Sequence, residues 1–134
     1  MKTYHLFISH SWKYSDAYYR LVNLLENYPY FTFVNYSVPQ DNPIEDAAND
    51  GELRRAISDK MLPCSCVLIL AGVYATYSKW INIEIELARK LHKPIIDIEP
   101  WGADKTSVIV KDAADKRVGW NTKSIVDAIR SVTY

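Results

Sequence analysis

Residues 66–98, CVLILAGVYATYSKWINIEIELARKLHKPIIDI, decide the fold of this chain. The run Val67-Leu68-Ile69-Leu70 shows no polar alternation, so it reads as a strand covered on both faces, and Gly72 ends it by freeing the backbone to turn. From Ser78 to about His92 apolar residues recur at helical spacing, and Pro94 stops the pattern. Ile95-Ile96-Asp97-Ile98 is strand-like again. Strand, helix and strand in close succession form the unit that joins parallel neighbours in one sheet.

The same alternation continues in both directions. Upstream, Tyr4 to Ser9 carries Leu6-Phe7-Ile8 in succession and reads as a short buried strand. Tyr14 to about Tyr28 places Ala17, Tyr18, Leu21, Leu24 and Leu25 at helical spacing, with Ser15 or Asp16 to cap it and Pro29 beyond its end. Tyr30 to Tyr36, aromatic and β-branched, is a second strand, and Ser37 to Asp50 is a loop rich in proline and acids. Glu52 to Met61 is a helix closed by Pro63. Downstream, Thr106 to Ala114 fits a strand or a short helix, Arg117 to Gly119 fits a minimal fifth strand, and Asn121 caps a last helix bearing Ile125, Val126 and Ile129. The expected architecture is a three-layer α/β fold of flavodoxin-like type: a five-stranded, mostly parallel sheet flanked by helices, with residues 1–134 as one domain. Ligands of such sheets bind outside the carboxyl ends of the strands, which directs attention to the loops after Ser9, Tyr36 and Ala71.

Composition narrows the function. Apolar residues make up 49% and charged residues 24% of the chain, which excludes intrinsic disorder. Sixteen Lys and Arg balance sixteen Asp and Glu, so the basic excess of a nucleic-acid binder is missing. No apolar run approaches the roughly 18 residues needed to span a bilayer, and MKTYHLFISH reads as neither signal peptide nor anchor. A cytoplasmic location is expected, without membrane or nucleic-acid partners. Cys64 and Cys66, one residue apart, fall on the same side of a strand; with no second ligand pair for zinc, they read as small residues entering the core. No Gly-rich phosphate loop of the dinucleotide-binding or P-loop kind is present.

One residue is out of place for a surface acid. Wound at about 100° per residue, the helix from Ser78 puts Trp80, Ile83, Leu87, Ala88 and Leu91 on one face, with Lys79, Asn82, Glu86, Arg89 and Lys90 opposite. Glu84 lands in the middle of the apolar face, one turn after Trp80. A carboxylate there needs a buried partner, or else a position at the rim of a cleft where a ligand completes its hydrogen bonding. Its place near the start of the helix, and so near the carboxyl edge of the sheet, favours the cleft, and the positive end of the helix dipole eases ionisation.

Several stretches resemble TIR domains. Phe7-Ile8-Ser9-His10-Ser11 followed by Asp16 is similar to the first TIR box. Ser78-Lys79-Trp80-Ile81-Asn82-Ile83-Glu84-Ile85 with Ala88 resembles the TIR helix with its W-x-x-x-E pattern. Lys93-Pro94-Ile95-Ile96 is similar to the strand that follows, and Gly119-Trp120-Asn121 to the final box. The pattern is similar to bacterial TIR-like proteins, including those of Thoeris-type anti-phage defence. The resemblance implies cleavage of NAD between nicotinamide and ribose, with Glu84 as the catalytic residue and a linear or cyclic ADP-ribose product that signals to an effector. It implies NAD as substrate without a prosthetic group, and self-association through TIR surfaces. Ser9, His10 and Ser11 would contact phosphate or ribose, or else stitch their own turn. Ser37 opens the loop that the resemblance places at the substrate mouth. Trp80 reads as a packing residue first, and Trp12 as an equal candidate for stacking on a base or nicotinamide.

Two other readings compete. A non-catalytic interaction module of the same fold has no need of an inward Glu84. A flavodoxin-like flavin binder suits the topology but lacks a phosphate loop.

Overall fold

The computed structural model describes residues 2–9, 16–36, 50–70, 79–99 and 108–133, with the side chains of a few helical residues, Trp80 among them, outside the description. Among the described residues ten elements alternate: β1 (Thr3–Ser9), α1 (Asp16–Glu26), β2 (Thr32–Asn35), α2 (Asp50–Met61), β3 (Cys66–Leu70), α3 (Lys79–Lys90), β4 (Ile95–Glu99), α4 (Val108–Ala113), β5 (Lys116–Gly119) and α5 (Thr122–Val132). The strands form one sheet in the order β2-β1-β3-β4-β5, and every pairing is parallel rather than mostly so. Helices α2, α3 and α4 pack side by side, as do α1 and α5, and the two groups cover the two faces of the sheet.

The order follows from where the apolar runs lie. β3 is buried at every residue and takes the centre. The polar, half-exposed β2 and β5 take the edges, where one side needs no cover. β5 carries Lys116 and Arg117, charges that blunt an exposed edge. Leu6, Phe7, Ile8, Val67, Leu68, Ile69, Ile95, Ile96 and Ile98 form the sheet's share of a continuous core, closed by Leu21 and Leu25 of α1, Ile57 and Met61 of α2, and Ile125, Val126 and Ile129 of α5. Asn121 caps α5, its side chain accepting from the Ser124 amide at 3.0 Å.

Four details refine the expectation. The stretch left open at Thr106–Ala114 is helical from Val108 to Ala113: it must cross between two parallel strands, and Val110 turns into the core there. The second strand is shorter than Tyr30–Tyr36, because Tyr30 has a left-handed backbone (φ 60°) that cannot join a ladder. Cys64 precedes the strand instead of lying in it, so the two cysteines do not share a strand face; both are buried and reduced. Finally, α3 buries Ile85 as well as Ile83, Glu84, Leu87 and Ala88, a wider face than the winding alone suggested, because it lies between α2 and α4. The expected helix start at Tyr14 and the cap candidate Ser15 lie outside the described residues, and Asp16, the other cap candidate, is the first residue of α1.

Candidate functional site at the carboxyl edge of the sheet

The chain leaves β1 to build β2 on one side, then returns to place β3 on the other side of β1. That reversal makes the carboxyl ends of β1 and β3 the topological switch point of the sheet, the place where ligands of doubly wound sheets bind. Ser9 is the last residue of β1 and lies in register with Ile69 of β3. Helix α3 begins at Lys79, beyond the carboxyl end of β3, and runs back along the sheet. Glu84, its sixth residue, therefore enters about 7–8 Å below the helix start. The fold brings its carboxyl next to the Ser9 hydroxyl.

Both groups are removed from water: Glu84 is 3% exposed and Ser9 2%. Glu84 Oε2 and Ser9 Oγ each lack a hydrogen-bond partner among the described residues, and no described Lys, Arg or His forms an ion pair with the acid. Burial pushes the Glu84 carboxyl up to about 8, against an ordinary 4.5, and the adjacent Ser9 hydroxyl pulls it down only in part. At neutral pH the acid in the free protein is therefore mostly protonated. Ser9 is near enough to lower the acid, yet Glu84 Oε2 and Ser9 Oγ are left without a well-formed hydrogen bond, which is unusual in a native core, where such atoms are nearly always bonded. The two groups are also what a diol or a cationic ring needs: acceptors in a site shielded from water.

The structure thus brings together Glu84 and Ser9. His10, Ser11, Trp12 and Ser37 lie outside the described residues. Trp80 stands on α3 one turn before Glu84, with only its backbone described. No cluster of three or more His, Cys, Asp or Glu suited to a metal occurs among the described residues. No described helix is long and apolar enough to cross a membrane.

One buried acid escaped the sequence reading. Asp97 of β4 is fully buried and shares a row across the sheet with Ser9, through Ile69, and with Arg117 of β5. Arg117 reaches Asp97 Oδ2 with Nε at 3.7 Å and Glu99 Oε1 with Nη2 at 3.1 Å, tying the edge strand to its neighbour. An acid in the middle of Ile95-Ile96-Asp97-Ile98 was the available signal.

The comparisons with known proteins bear on the family and the fold. A family model, described as the TIR-like domain of Thoeris protein ThsB, matches residues 7–105. That is more than half of the 134 residues, and the chain belongs to this family. Among solved structures, a conserved protein from Enterococcus faecalis V583 superposes with a TM-score of 0.67 at 12% identity, covering 97% of this chain and 99% of that one. At that identity the likeness shows the fold alone. A 3-dehydroquinate dehydratase-like protein from Bifidobacterium longum, with a TM-score of 0.48 at 11% identity over 98% and 95% of the two chains, adds nothing to the argument. No curated protein matches significantly.

Proposed function

We propose that this member of the Thoeris ThsB TIR-like family cleaves NAD at the bond between nicotinamide and ribose, and that its product is a linear or cyclic ADP-ribose nucleotide that signals in anti-phage defence. The observation that carries the reading is the Glu84 carboxyl, buried and without a partner for Oε2 at the switch point of the sheet. Glu84 is the catalytic residue in this reading, and Ser9 helps to seat the ribose.

The chemistry asks little of the protein. As the C1′–N bond breaks, its electron pair goes to the pyridinium nitrogen, so nicotinamide departs neutral and no general acid is required. The ribose is left with oxocarbenium character, as in glycoside cleavage, and an ionised carboxylate in a dry site stabilises that charge strongly. Water attacking C1′ gives ADP-ribose and releases one proton. An internal hydroxyl or adenine nitrogen attacking instead gives a cycle and likewise releases its proton or stays cationic until it does. The acid must ionise before it can help, and the positive charge of the bound pyridinium favours that ionisation.

The test is to incubate the purified protein with NAD, follow nicotinamide by chromatography, and repeat with Glu84→Gln after checking that the variant folds. Release by the wild type that falls by at least about a hundredfold in the variant supports the reading. Turnover that survives the substitution removes Glu84 from the mechanism, and no release at all by the wild type favours the interaction-module reading.

A further inference from the structure

The opposite edge of the sheet holds a groove that the reaction proposed above does not use. It spans about 800 Å³ and lies at the amino ends of β3, β4 and β5, between the carboxyl ends of α3 and α5. Its volume falls within the range of small-molecule sites. Arg89, His92 and Lys93 line one side, Ser65 and Asp115 contribute polar atoms, and Pro94 and Val132 supply apolar surface. From this constellation we propose that the groove binds an organic phosphate of nucleotide size, independently of the Glu84 site.

Charge supports this occupant. Two permanent cations and an imidazole face a single carboxylate, and that carboxylate is engaged, Asp115 Oδ2 accepting from the Ile95 amide at 2.8 Å. The side chains of Arg89 and His92 make no hydrogen bond or ion pair among the described residues. Lys93 spends one donor on the Leu62 carbonyl at 2.9 Å and keeps two. Basic residues at a helix end are ordinarily explained by the negative pole of the helix. Here part of that pole is already answered from within the chain. At α3 the amides of Leu91, His92 and Lys93 donate to the carbonyls of Leu87, Arg89 and Ala88. At α5 the Thr133 amide and hydroxyl both donate to the Ile129 carbonyl, and the Ser131 hydroxyl to that of Ala128. With these five carbonyls occupied, the Arg89 and His92 side chains, unbonded among the described residues, are available to an outside anion.

The backbone adds a second sign. The closing turn of α3 is a Schellman arrangement, with Lys93 N bonded to Ala88 O and His92 N to Arg89 O. It needs a left-handed residue, usually glycine, at the position held by His92 (φ 57°). Histidine gives up the relaxed cap and gains a ring at the mouth of the groove.

The experiment uses the full chain, isotope-labelled, titrated with AMP, inorganic phosphate and adenosine while amide shifts are followed. AMP should perturb residues 89–95 and 131–133 with sub-millimolar affinity, inorganic phosphate the same residues more weakly, and adenosine none. Replacing both Arg89 and His92 by Gln should weaken AMP by about tenfold or more, as expected for loss of charge-assisted bonds, and leave NAD turnover unchanged. Glu84→Gln should leave this binding intact whether or not the protein cleaves NAD. No response to AMP at about 10 mM, far above the affinity of a specific site, would overturn the assignment. So would equal shifts with adenosine, or shifts centred on Ser9 and Glu84 that vanish in Glu84→Gln.

Discussion

Replacing Glu84 by Gln should make the fold more tolerant of high pH, by an amount that the burial of this acid sets. In the unfolded chain the carboxyl titrates at its ordinary 4.5, and in the folded protein at about 8. Below the lower value both states hold the proton and the acid costs nothing. Between the two values the unfolded state is ionised while the folded state is still protonated, so rising pH favours unfolding. The native protein then binds more protons than the unfolded one, and stability falls by up to about 1.4 kcal/mol per pH unit. The loss reaches roughly 3 kcal/mol at neutral pH and levels off near 5 kcal/mol above the folded value. Relaxation and entry of water make these figures upper limits. Against a total of about 5–15 kcal/mol for a domain of this kind, the effect is large.

Gln has the same shape and never ionises, so its stability lacks this slope. It brings an amide donor into the same dry space, which lowers its stability by about 1–3 kcal/mol at every pH if unpaired. The absolute difference between the proteins is therefore uninformative, and the change of that difference with pH is the diagnostic. Urea unfolding of both proteins from about pH 5 to about pH 9, extrapolated to water, measures it. Wild type should lose ground to Glu84→Gln steadily up to about pH 8 and no further above it. Parallel curves would refute the argument, because they would mean that the carboxyl is ionised and satisfied inside the folded domain.

Three further outcomes follow from the same geometry. If ionised Glu84 is needed for NAD cleavage, kcat/KM should rise about tenfold per pH unit and level off above about 8, the value of the free protein; a flat profile from pH 6 to pH 9 would contradict this. Ser9→Ala deletes a buried hydroxyl without a partner, so urea unfolding should show a change within about 1 kcal/mol while kcat/KM for NAD falls about tenfold. Burial pushes the thiols of Cys64 and Cys66 up to about 12, so at pH 8 roughly one in ten thousand is ionised; iodoacetamide should leave the native protein unmodified and label both residues in urea, as mass spectrometry would show.

What could be read from residues alone tracks how local each signal is. The run of β3, the periodicity of α3 and the cap at Asn121 are set by neighbours in sequence, and they were legible. Val108–Ala113 was ambiguous because Val-Ile-Val favours a strand by propensity, and only the need to cross between β4 and β5 makes it a helix. Tyr30 reads as strand because aromatic residues favour strands, whereas its left-handed backbone depends on the turn after α1, closed by Arg130 donating to the Tyr30 carbonyl at 2.9 Å. Glu84 was legible because a helix face is a local pattern, but its meeting with Ser9 is a tertiary fact across two crossovers. The row Ser9, Ile69, Asp97 and Arg117 depends on sheet register, and the amino-edge groove on four separate segments, so neither has a linear signature.

The energetics of Glu84 bear on why the site should have a ligand. A buried acid with an ion-pair partner is satisfied within the fold and implies nothing beyond it. Here no such partner is found among the described residues, and the Ser9 hydroxyl beside it, though near enough to lower the acid, makes no well-formed hydrogen bond of its own there. An apolar residue in place of Glu84 would remove the desolvation penalty outright, and α3 already supplies Ile83, Ile85 and Leu87 to show that its surroundings accept one. The cost at neutral pH is thus borne by a side chain that adds nothing to packing that leucine could not. A bound cation with hydroxyls beside it reverses the balance at a stroke: it supplies donors to both orphaned atoms and stabilises the ionised carboxylate. Binding and ionisation then reinforce each other, so a site that is unfavourable when empty becomes favourable when filled. That is the property required of a residue meant to meet positive charge only when the substrate brings it.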